Sequence, residues 1–450
     1  MENSTDQVSP LFEDNHGASG REPPSLLRTR SLRRGKKSVP LGAIPGVVIF
    51  GGLALFIISV GFSTFFLVKD VLLKPGASAR WSYQIGGLIS SITVTQGIVY
   101  VGSTNVRAEN GTFAAFDAQL GTKKWSYQTA GESDFAPTIV NGMVYVTDIS
   151  GNVYALDART GRERWSYATG EGAVSSPVVA NGIVYVNDGN LYALDAQSGQ
   201  EKWADRSGGY VLQPPVVINS TIYVGSYHDH MLHALDAGTG RKKWFSQAGT
   251  FITAPPVVAN DTVYVSTYGG TVYALDAGTG QEKWSYATES VNPPSPTVVN
   301  GTVYADSDHG QVLYALDAGT GRKKWSYATG GGSVSSPTVV NSIVYTSTNN
   351  VYTNSNNSSV YALDAKTGRE EWSYVRGSAV FLPPTVVNGT VYLGSNNGNG
   401  MVYALDAETG REEWSYATES GIPISPIVAN GIVYVGTLDG NVYAIQGGSR

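Results

Sequence analysis

The residues with the clearest capacity for chemistry lie in the stretch YHDHMLH, where His228 and His230 flank Asp229. Two positions apart on a strand, the two histidines would share a face. With Asp229 or His309 they would supply the ligands of a transition-metal site. The favoured interpretation is simpler: the stretch is a polar hairpin tip, and His233 takes a position that is Tyr in neighbouring units.

A second set of candidate groups is a series of carboxylates, each eight residues before a tryptophan. Such a series resembles an acid–base or metal constellation, but equivalent positions of a repeat lie far from one another. We therefore interpret these carboxylates as structural. They are Asp117, Asp157, Asp195, Asp236, Asp276, Asp317, Asp364 and Asp406.

The amino-acid composition excludes several kinds of functional site. The 450 residues include no cysteine, which excludes disulfides, thiolate metal sites, iron–sulfur clusters and cysteine nucleophiles. The formal net charge of −6 gives no support to nucleic-acid binding. The 54 Gly and 27 Tyr, against 4 Met, favour strands and turns over helices.

The elements that must position these residues form one long repeat. Tryptophan recurs about every 41 residues from Trp81 to Trp414, the period of a repeat architecture. A typical unit holds four short runs of β-branched or aromatic residues, separated by Asn-Gly and Asp-Ala-x-Thr-Gly turns, which predicts four antiparallel strands, A to D. Strand C (VYALDA) is apolar at consecutive positions, so it is expected to be covered on both faces.

Four-stranded sheets of this period, covered on both faces, indicate an all-β fold, a β-propeller. The last unit ends at Gln446 without a strand D, whereas the segment around Trp81 has a strand D without the preceding strands. We expect the two fragments to complete one shared blade and close the ring. This count gives nine blades, and eight blades with a leftover unit is the alternative.

Each Asp-Ala-x-Thr-Gly turn has an expected structural role. The aspartate can accept backbone N–H groups, the glycine permits a positive φ, and the following tryptophan is expected to lie between neighbouring sheets. Two representative sets of docking residues are Asp157, Gly161 and Trp165, and Asp276, Gly280 and Trp284.

The pattern Ala-x-Asp-x-x-Thr-Gly-x-x-x-Trp, seen at Ala155–Trp165, resembles the tryptophan-docking repeat of the pyrroloquinoline-quinone (PQQ)-like β-propeller family, within the quinoprotein alcohol dehydrogenase-like superfamily. The resemblance covers residues 80–446. It implies the propeller fold but no single activity. The family includes dehydrogenases that bind PQQ and Ca²⁺ in the propeller mouth, and envelope proteins that bind no quinone.

The sequence departs from the enzymes of that family. Their alcohol-oxidising members use a vicinal Cys–Cys pair and their haem domains use Cys-x-x-Cys-His, and this chain has no cysteine. The units are nearly uniform, which argues against one specialised pocket. The resemblance is therefore closer to the non-enzymatic envelope members, and no cofactor is expected, with PQQ and calcium as the alternative.

Binding residues are expected where the units differ. The A–B and C–D turns hardly change, whereas the D–A and B–C connections vary and should share one face of the propeller and its channel mouth. An acidic mouth would favour cations or basic partners. The candidate binding residues on this variable-loop face are Glu132, Asp134, Glu171, His228, His230, Glu289, Asp306, His309 and Arg376.

The N-terminal part has a different character. Residues 1–43 lack an apolar period and are expected to be a disordered basic tail, with a cluster of Arg and Lys at 28–37. Residues 44–68 contain no charged side chain and are long enough for a transmembrane helix. The basic flank predicts a cytoplasmic N-terminus, and residues 69–79 would be a stalk. A cleaved signal peptide ending near Ala79 is the alternative.

Together these features predict a single-pass plasma-membrane protein whose extracytoplasmic propeller is a binding or scaffolding module for a protein or an envelope polymer. The first alternative is a PQQ-dependent dehydrogenase of an alcohol or a sugar. The second is a spacer or surface-array protein that binds no ligand and self-associates.

Overall fold

The computed structural model describes residues 49–50, 53–54, 76–170, 172, 174–210, 213–252, 254–288, 294–307, 311–330, 333–349, 357–377, 381–396 and 398–447. The chain divides into two compact units, 1–69 and 70–450. In the first, Ile49–Phe50 and Leu53–Ala54 form a two-stranded antiparallel pair. The predictions for 1–43, for the stalk up to residue 75 and for most of 44–68 lie outside the described residues. The described residues include no helix with the length and apolarity that a membrane crossing requires.

Within the second unit, the described residues form nine antiparallel sheets, here called blades 1 to 9, each with strands in the order A-B-C-D. The sequence count of nine is confirmed. Strand A of blades 1 to 9 is Leu88–Thr95, Thr138–Val140, Val178–Ala180, Val216–Ile218, Val257–Ala259, Thr297–Val299, Thr338–Val340, Thr385–Val387 and Ile427–Ala429. Strand B is Ile98–Asn105, Met143–Thr147, Ile183–Asn187, Thr221–Gly225, Thr262–Ser266, Thr302–Ser307, Ile343–Asn349, Thr390–Gly394 and Ile432–Gly436.

Strands C and D complete the blades, and the short strand Ser333–Val334 adds to strand B of blade 7. Strand C is Asn110–Asp117, Asn152–Asp157, Leu191–Asp195, Met231–Asp236, Thr271–Asp276, Val312–Asp317, Asn357–Asp364, Met401–Asp406 and Asn441–Gln446. Strand D is Lys123–Thr129, Glu163–Ala168, Glu201–Asp205, Lys242–Gln247, Glu282–Ala287, Lys323–Ala328, Glu370–Gly377, Glu412–Ala417 and, in blade 9, Ser78–Gln84.

Strand A lies toward the centre of the ring and strand D at its rim. The A strands of neighbouring blades contact one another. For example, the Thr297 hydroxyl donates to the Pro337 carbonyl oxygen at 3.1 Å, and the Thr385 hydroxyl donates to the Pro426 carbonyl oxygen at 2.7 Å. Strand C is buried on both faces as predicted, because consecutive residues such as Ala155 and Leu156 are inaccessible to solvent.

Blade 9 closes the ring in the predicted manner. Strand D of this blade pairs with the C-terminal strand in a register that places Trp81 opposite Ala444 and Ser82 opposite Tyr443. On the other side, the Tyr434 hydroxyl donates to the carbonyl oxygen of Ala118 in blade 1 at 3.1 Å. The hydrophobic core is accordingly a series of clusters, each shared by two consecutive blades.

The repeated turn joins each blade to the next. In blade 2, Asp157 Oδ1 accepts the backbone N–H of Thr160 at 2.9 Å, and Gly161 has a φ of 70°. Gly161 faces the ring of Trp125, from the preceding blade, so closely that a Cβ there would lie 2.5 Å from it. Trp165 in turn donates its indole N–H to the Ala196 carbonyl oxygen of blade 3 at 3.1 Å.

The second representative set follows the same rule. Gly280 receives Trp244, whereas Trp284 docks on blade 6 through a 3.0 Å bond to the Ala318 carbonyl oxygen. Among the described contacts this indole-to-carbonyl bond occurs at eight of the nine junctions. The donors are Trp81, Trp125, Trp165, Trp203, Trp244, Trp284, Trp325 and Trp372.

Candidate functional site: the variable-loop face

Antiparallel strand order places the B–C and D–A connections at one end of every blade, opposite the A–B and C–D turns. The two kinds of connection contact each other through the backbone. The Tyr227 N–H donates to the Gly209 carbonyl oxygen at 2.7 Å, and the Leu438 N–H donates to the Gly421 carbonyl oxygen at 2.9 Å. The variable-loop face is thus formed by both sets of connections.

Two of the predicted acidic residues lie in the connection between blades 1 and 2. Asp134 is exposed, and its Oδ1 accepts the Thr104 hydroxyl at 2.6 Å. Glu132 is half-buried, and its carbonyl oxygen accepts the N–H of Ile149 from the B–C turn of blade 2 at 2.9 Å. This connection is therefore bonded to both blades, through the side chain of Asp134 to blade 1 and through the carbonyl group of Glu132 to blade 2.

Other predicted residues have different positions. Asp306 belongs to the end of strand B rather than to an exposed connection, and only 3% of its surface is exposed. The prediction that it lies in the loop was wrong, because Asp306 is the fifth residue of strand B, a position that is also buried in other blades, for example at Thr147 and Ser266. Glu171, Glu289 and His309 lie outside the described residues.

Arg376 is exposed, but it is held in place by neighbouring side chains. Its Nε donates to the Tyr374 hydroxyl at 2.7 Å, and its guanidinium also pairs with Glu412 of blade 8. The guanidinium lies over the rings of Tyr374 and Tyr403, 5.4 and 5.7 Å from the ring centroids. Arg376 thus connects the rims of blades 7 and 8.

The histidine-rich hairpin is the tip of the B–C connection of blade 4. His228 and His230 are exposed, whereas His233 is 3% exposed and its Nε2 lies 2.9 Å from Asp229 Oδ2. Burial lowers the pKa of His233, although the Asp229 carboxylate opposes that change. In blade 2 the repeat tyrosine likewise contacts an aspartate of the B–C turn, as the Tyr154 hydroxyl donates to Asp148 at 2.9 Å. His233 therefore takes the structural position of the repeat tyrosine, as the sequence indicated.

Sequence reasoning missed an aromatic cluster beside this hairpin, which we call the aromatic shelf: Tyr227, His230, Phe251 and Tyr268. The rings of Phe251 and Tyr268 are stacked with centroids 4.7 Å apart, and Tyr227 lies 5.1 Å from Phe251. Tyr227 and Tyr268 are 49% and 43% exposed. Large apolar side chains that lie together at a surface commonly mark an interaction site.

The shelf joins three connections that are separate in the sequence. Tyr227 and Tyr268 occupy the B–C turns of blades 4 and 5, directly after Ser226 and Thr267, and Phe251 lies in the D–A connection between those blades. The backbone N–H of Tyr268 donates to the Phe251 carbonyl oxygen at 2.9 Å. The sequence contained one indication of this cluster, because two consecutive units have a tyrosine at the same position of the B–C turn.

The described residues do not fit the quinone and Ca²⁺ pair that the family resemblance implies. They contain no group of three His, Asp or Glu side chains that could hold a metal ion. PQQ is a tricarboxylate, and its binding calls for cationic side chains. Arg206 and Arg376, the arginines that pack on rings near this face, each pair with a glutamate, Glu201 and Glu412 respectively.

Comparison with known proteins identifies the repeat. The family profile described as outer membrane protein assembly factor BamB matches residues 71–244 and 228–446. No curated protein matches the chain.

Several solved structures share the fold. The structure of BamB from Moraxella catarrhalis superposes with a TM-score of 0.54 at 21% identity, covering 70% of this chain and 94% of that one. The quinohemoprotein alcohol dehydrogenase from Comamonas testosteroni gives a TM-score of 0.57 at 18% identity, covering 84% of this chain and 78% of that one. The computationally designed Ika8 protein gives 0.54 at 17% identity, covering 80% and 96%. At these identities the structures show the propeller fold alone.

Proposed function

The chain belongs to the PQQ-repeat β-propeller family defined by the profile of the outer membrane protein assembly factor BamB, and on that premise we propose that it is a membrane-anchored, extracytoplasmic binding or scaffolding module. Its partner is a protein or an envelope polymer, and the variable-loop face carries the binding site. The name of the profile, an assembly factor, fits a module that holds partners rather than one that transforms a substrate.

The observation that supports this proposal most is the aromatic shelf. The blades dock on one another through tryptophans that are buried or half-buried and through a turn that hardly varies, so the framework of the propeller has little freedom to differ. On the variable-loop face, by contrast, Tyr227 and Tyr268 expose large parts of their rings. Exposed tyrosines combine apolar area with a hydroxyl group, and such residues are enriched where proteins bind partners.

The acidic residues of the same face support a partner that carries positive charge. Glu132 and Asp134 lie in the connection that leads into blade 2, and Asp229 lies beside the shelf. Surface carboxylates that lie on one face attract a basic partner, and they increase the rate of association more than the final affinity. The shelf would then supply the greater part of the binding free energy.

The proposed location depends on the sequence. A basic run at 28–37 precedes the uncharged segment 44–68, which is the arrangement of an anchor with a cytoplasmic N-terminus. The first strand of the propeller begins at Ser78, so residues 69–77 would separate it from the anchor on the far side of the membrane.

Site-specific photo-cross-linking in the producing cells tests the proposal. A photoreactive phenylalanine analogue replaces Tyr227 or Tyr268 in two variants, and it replaces Leu120 in the control. Leu120 is 71% exposed but lies in a C–D turn at the opposite end of blade 1. We expect the same cross-linked species from both tyrosine positions and none from Leu120. Equal products from all three positions, or none from the tyrosine positions, would contradict the proposal.

A further inference from the structure

One junction of the propeller has two titratable residues where most junctions have a pair of tyrosines. Among the described contacts, a strand D tyrosine packs on the strand C tyrosine of the next blade at six junctions, with ring centroids between 5.4 and 6.0 Å apart. At the junction of blades 3 and 4 the equivalent positions are Asp205 and His233. The six pairs are Tyr127 with Tyr154, Tyr167 with Tyr192, Tyr286 with Tyr314, Tyr327 with Tyr361, Tyr374 with Tyr403, and Tyr416 with Tyr443.

His233 is buried, and its two ring nitrogens have different surroundings. Only 3% of its surface is exposed. Nε2 lies 2.9 Å from Asp229 Oδ2, whereas Nδ1 is buried and has no hydrogen-bond partner among the residues that the structure describes. The ring of Tyr210 packs edge-on against the imidazole with centroids 5.5 Å apart, and the ring of Phe245 lies at 6.5 Å. The imidazole is thus bonded at Nε2 and packed beside aromatic side chains.

Titratable groups face His233 from four elements. Asp229 lies in the B–C turn of the same blade, and Lys242 lies on its strand D. Asp205 ends strand D of blade 3, and its Oδ2 accepts the hydroxyl of Tyr210, from the connection between the two blades, at 2.8 Å. Burial lowers the pKa of His233 and Lys242 adds to that change, whereas Asp229 and, less strongly, Asp205 oppose it.

Protonation changes the hydrogen bonds that this imidazole requires. The Asp229 carboxylate is an acceptor, so the neutral imidazole carries its proton on Nε2 and has a lone pair on Nδ1. The imidazolium has an N–H group at both nitrogens. Its second N–H would be buried at Nδ1, where the described residues provide no acceptor, and an unpaired buried donor is unfavourable. Protonation therefore favours an arrangement in which Nδ1 reaches water.

The aspartate that binds His233 also belongs to the turn that carries part of the aromatic shelf. Asp229 Oδ1 accepts the Met231 N–H at 3.2 Å, and Asp229 lies between Tyr227 and His230 in the sequence. One carboxylate therefore joins the B–C turn of blade 4 both to its own strand C and to the buried imidazole.

The rest of the shelf is held by other elements. Phe251 and Tyr268 lie in two other connections, their rings are stacked, and the Tyr268 N–H donates to the Phe251 carbonyl oxygen at 2.9 Å. The ring of Tyr227 lies 5.1 Å from that of Phe251. A movement of the B–C turn of blade 4 would therefore separate Tyr227 from a stacked pair that stays in place.

We propose that the B–C turn of blade 4 is a pH-sensitive switch of the aromatic shelf, closed while His233 is neutral and open when His233 is protonated. At neutral pH the bond between Asp229 and His233 holds Tyr227 and His230 against Phe251. In mildly acidic conditions the imidazolium turns toward water, the turn follows it through Asp229, and a partner bound to the complete shelf is released. The release of a partner rests on the proposed function, whereas the movement of the turn does not.

Amide hydrogen exchange of the full chain tests the movement without a partner. The reporters are the backbone N–H groups of residues 226–231, among them the Tyr227 N–H that donates to the Gly209 carbonyl oxygen. In an open turn the imidazole is hydrated and has its ordinary pKa of 6.5, so the open population can increase up to about tenfold from pH 7.5 to pH 5.5. We expect an increase of this order in the turn and none at Tyr268.

Two variants assign the response to one histidine. His233→Tyr introduces the residue of other blades and corrects for the effect of pH on exchange itself, and we expect no additional opening in it at pH 5.5. His228→Gln is the matched control, because His228 is an exposed histidine of the same turn, and it should retain the response. Circular dichroism verifies that both variants fold. Equal pH responses of the unmodified chain and His233→Tyr, or a lost response in His228→Gln, would overturn the proposal.

Histidine-selective ¹⁵N NMR of the unmodified chain is a test that needs no folded His233 variant. The exchange of the turn should increase with the same midpoint at which the His233 nitrogens titrate, and that midpoint should lie below pH 6.5. A turn that opens with a different midpoint from His233, or that stays closed when His233 is protonated, would overturn the proposal.

Photo-cross-linking from position 268, which does not belong to the turn, tests the effect on the partner. The yield of cross-linked product should fall up to about tenfold from pH 7.5 to pH 5.5, and His233→Tyr should abolish that decrease. Equal yields at the two pH values would overturn the switch. Absence of product at pH 7.5 would instead contradict the proposed function, and the exchange measurements would then decide the switch by themselves.

Discussion

The indole N–H of Trp81 donates to the carbonyl oxygen of Ala118 at 3.1 Å. Trp81 comes from the first strand of the propeller and Ala118 from blade 1, so the closing blade docks by the same bond that joins the other blades. The Tyr434 hydroxyl, from the C-terminal part of blade 9, donates to the same oxygen. One carbonyl group thus holds both chain segments of the closing blade.

Loss of the Trp81 side chain should loosen the propeller locally, at the closing blade. We expect Trp81→Ala to raise amide hydrogen exchange in the C-terminal strands of blade 9, while Trp165→Ala leaves exchange there unchanged. Truncating the buried Trp165 should cost about 3–5 kcal/mol of unfolding free energy, and Trp81, which is half-buried, somewhat less. Equal exchange of Tyr434 and Val442 in the two variants would contradict this account of closure.

The glycine of the docking turn should matter because a tryptophan lies against it. Gly161 and Gly182 have similar φ angles of 70° and 73°, but only Gly161 has a ring where a Cβ would be. Alanine at either position costs about 1–2 kcal/mol for the left-handed backbone. Displacing the Trp125 ring should add about 1–3 kcal/mol in Gly161→Ala. Urea unfolding of both variants measures the difference, and equal losses would show that the contact contributes little.

The fold could be predicted from sequence because the same contacts recur in every unit. The spacing of the tryptophans and the unmatched segments at Trp81 and Gln446 favoured nine blades over eight and predicted the shared ninth blade. What could not be read was any feature made by different units together. The shelf combines Tyr227, Phe251 and Tyr268 from three connections, and no single unit indicates that their rings meet.

The sequence predicted the surroundings of some individual side chains less well. Asp306 looked like a loop residue, but it is the fifth residue of strand B, a buried position of the repeat. Arg376 looked available for binding, but Tyr374 and Glu412 hold it. The environment of Arg376 depends on side chains of two blades, which the pattern of a single unit does not specify.

Stability should fall between neutral and mildly acidic pH because of His233. Burial lowers the pKa of this histidine below its ordinary value of 6.5, so the unfolded chain binds the proton more readily than the folded one. The stabilisation is complete above pH 6.5 and decreases as the pH falls toward the lower pKa of the folded state. Unfolding free energies at pH 7.5 and 5.5 measure the decrease.

His233→Tyr is the control for this pH dependence. Tyrosine is the residue of the neighbouring units, and its ordinary pKa of about 10 lies above both pH values. We expect a smaller difference between the two pH values in this variant. The aspartates of the docking turns titrate below the pH range of this experiment. For example, the Lys202 ammonium and the hydrogen bonds of the turn hold the pKa of Asp195 at about 2. An unchanged difference would assign the effect to another group.

Charge reversal on the variable-loop face should slow partner binding. We expect Glu132→Lys with Asp134→Lys to reduce the association rate at low salt and to have a smaller effect at high salt, because exposed charges are screened. The control is Glu408→Lys, an exposed glutamate in a C–D turn at the other end of the blades. Stopped-flow or surface binding kinetics with the cross-linked partner give the rates. Equal slowing by both changes would argue against a local effect of this face.

The most direct test of the central claim, that partner binding belongs to the variable-loop face, is the dissociation constant of that partner for shelf and control variants. We expect Phe251→Ser and Tyr268→Ser each to weaken binding about 30-fold or more, the effect of a central aromatic residue at an interface, with Tm little changed. Leu120→Ser, at the opposite end, should stay within about twofold of the unmodified chain. Equal affinities for the shelf and Leu120 variants would contradict the claim.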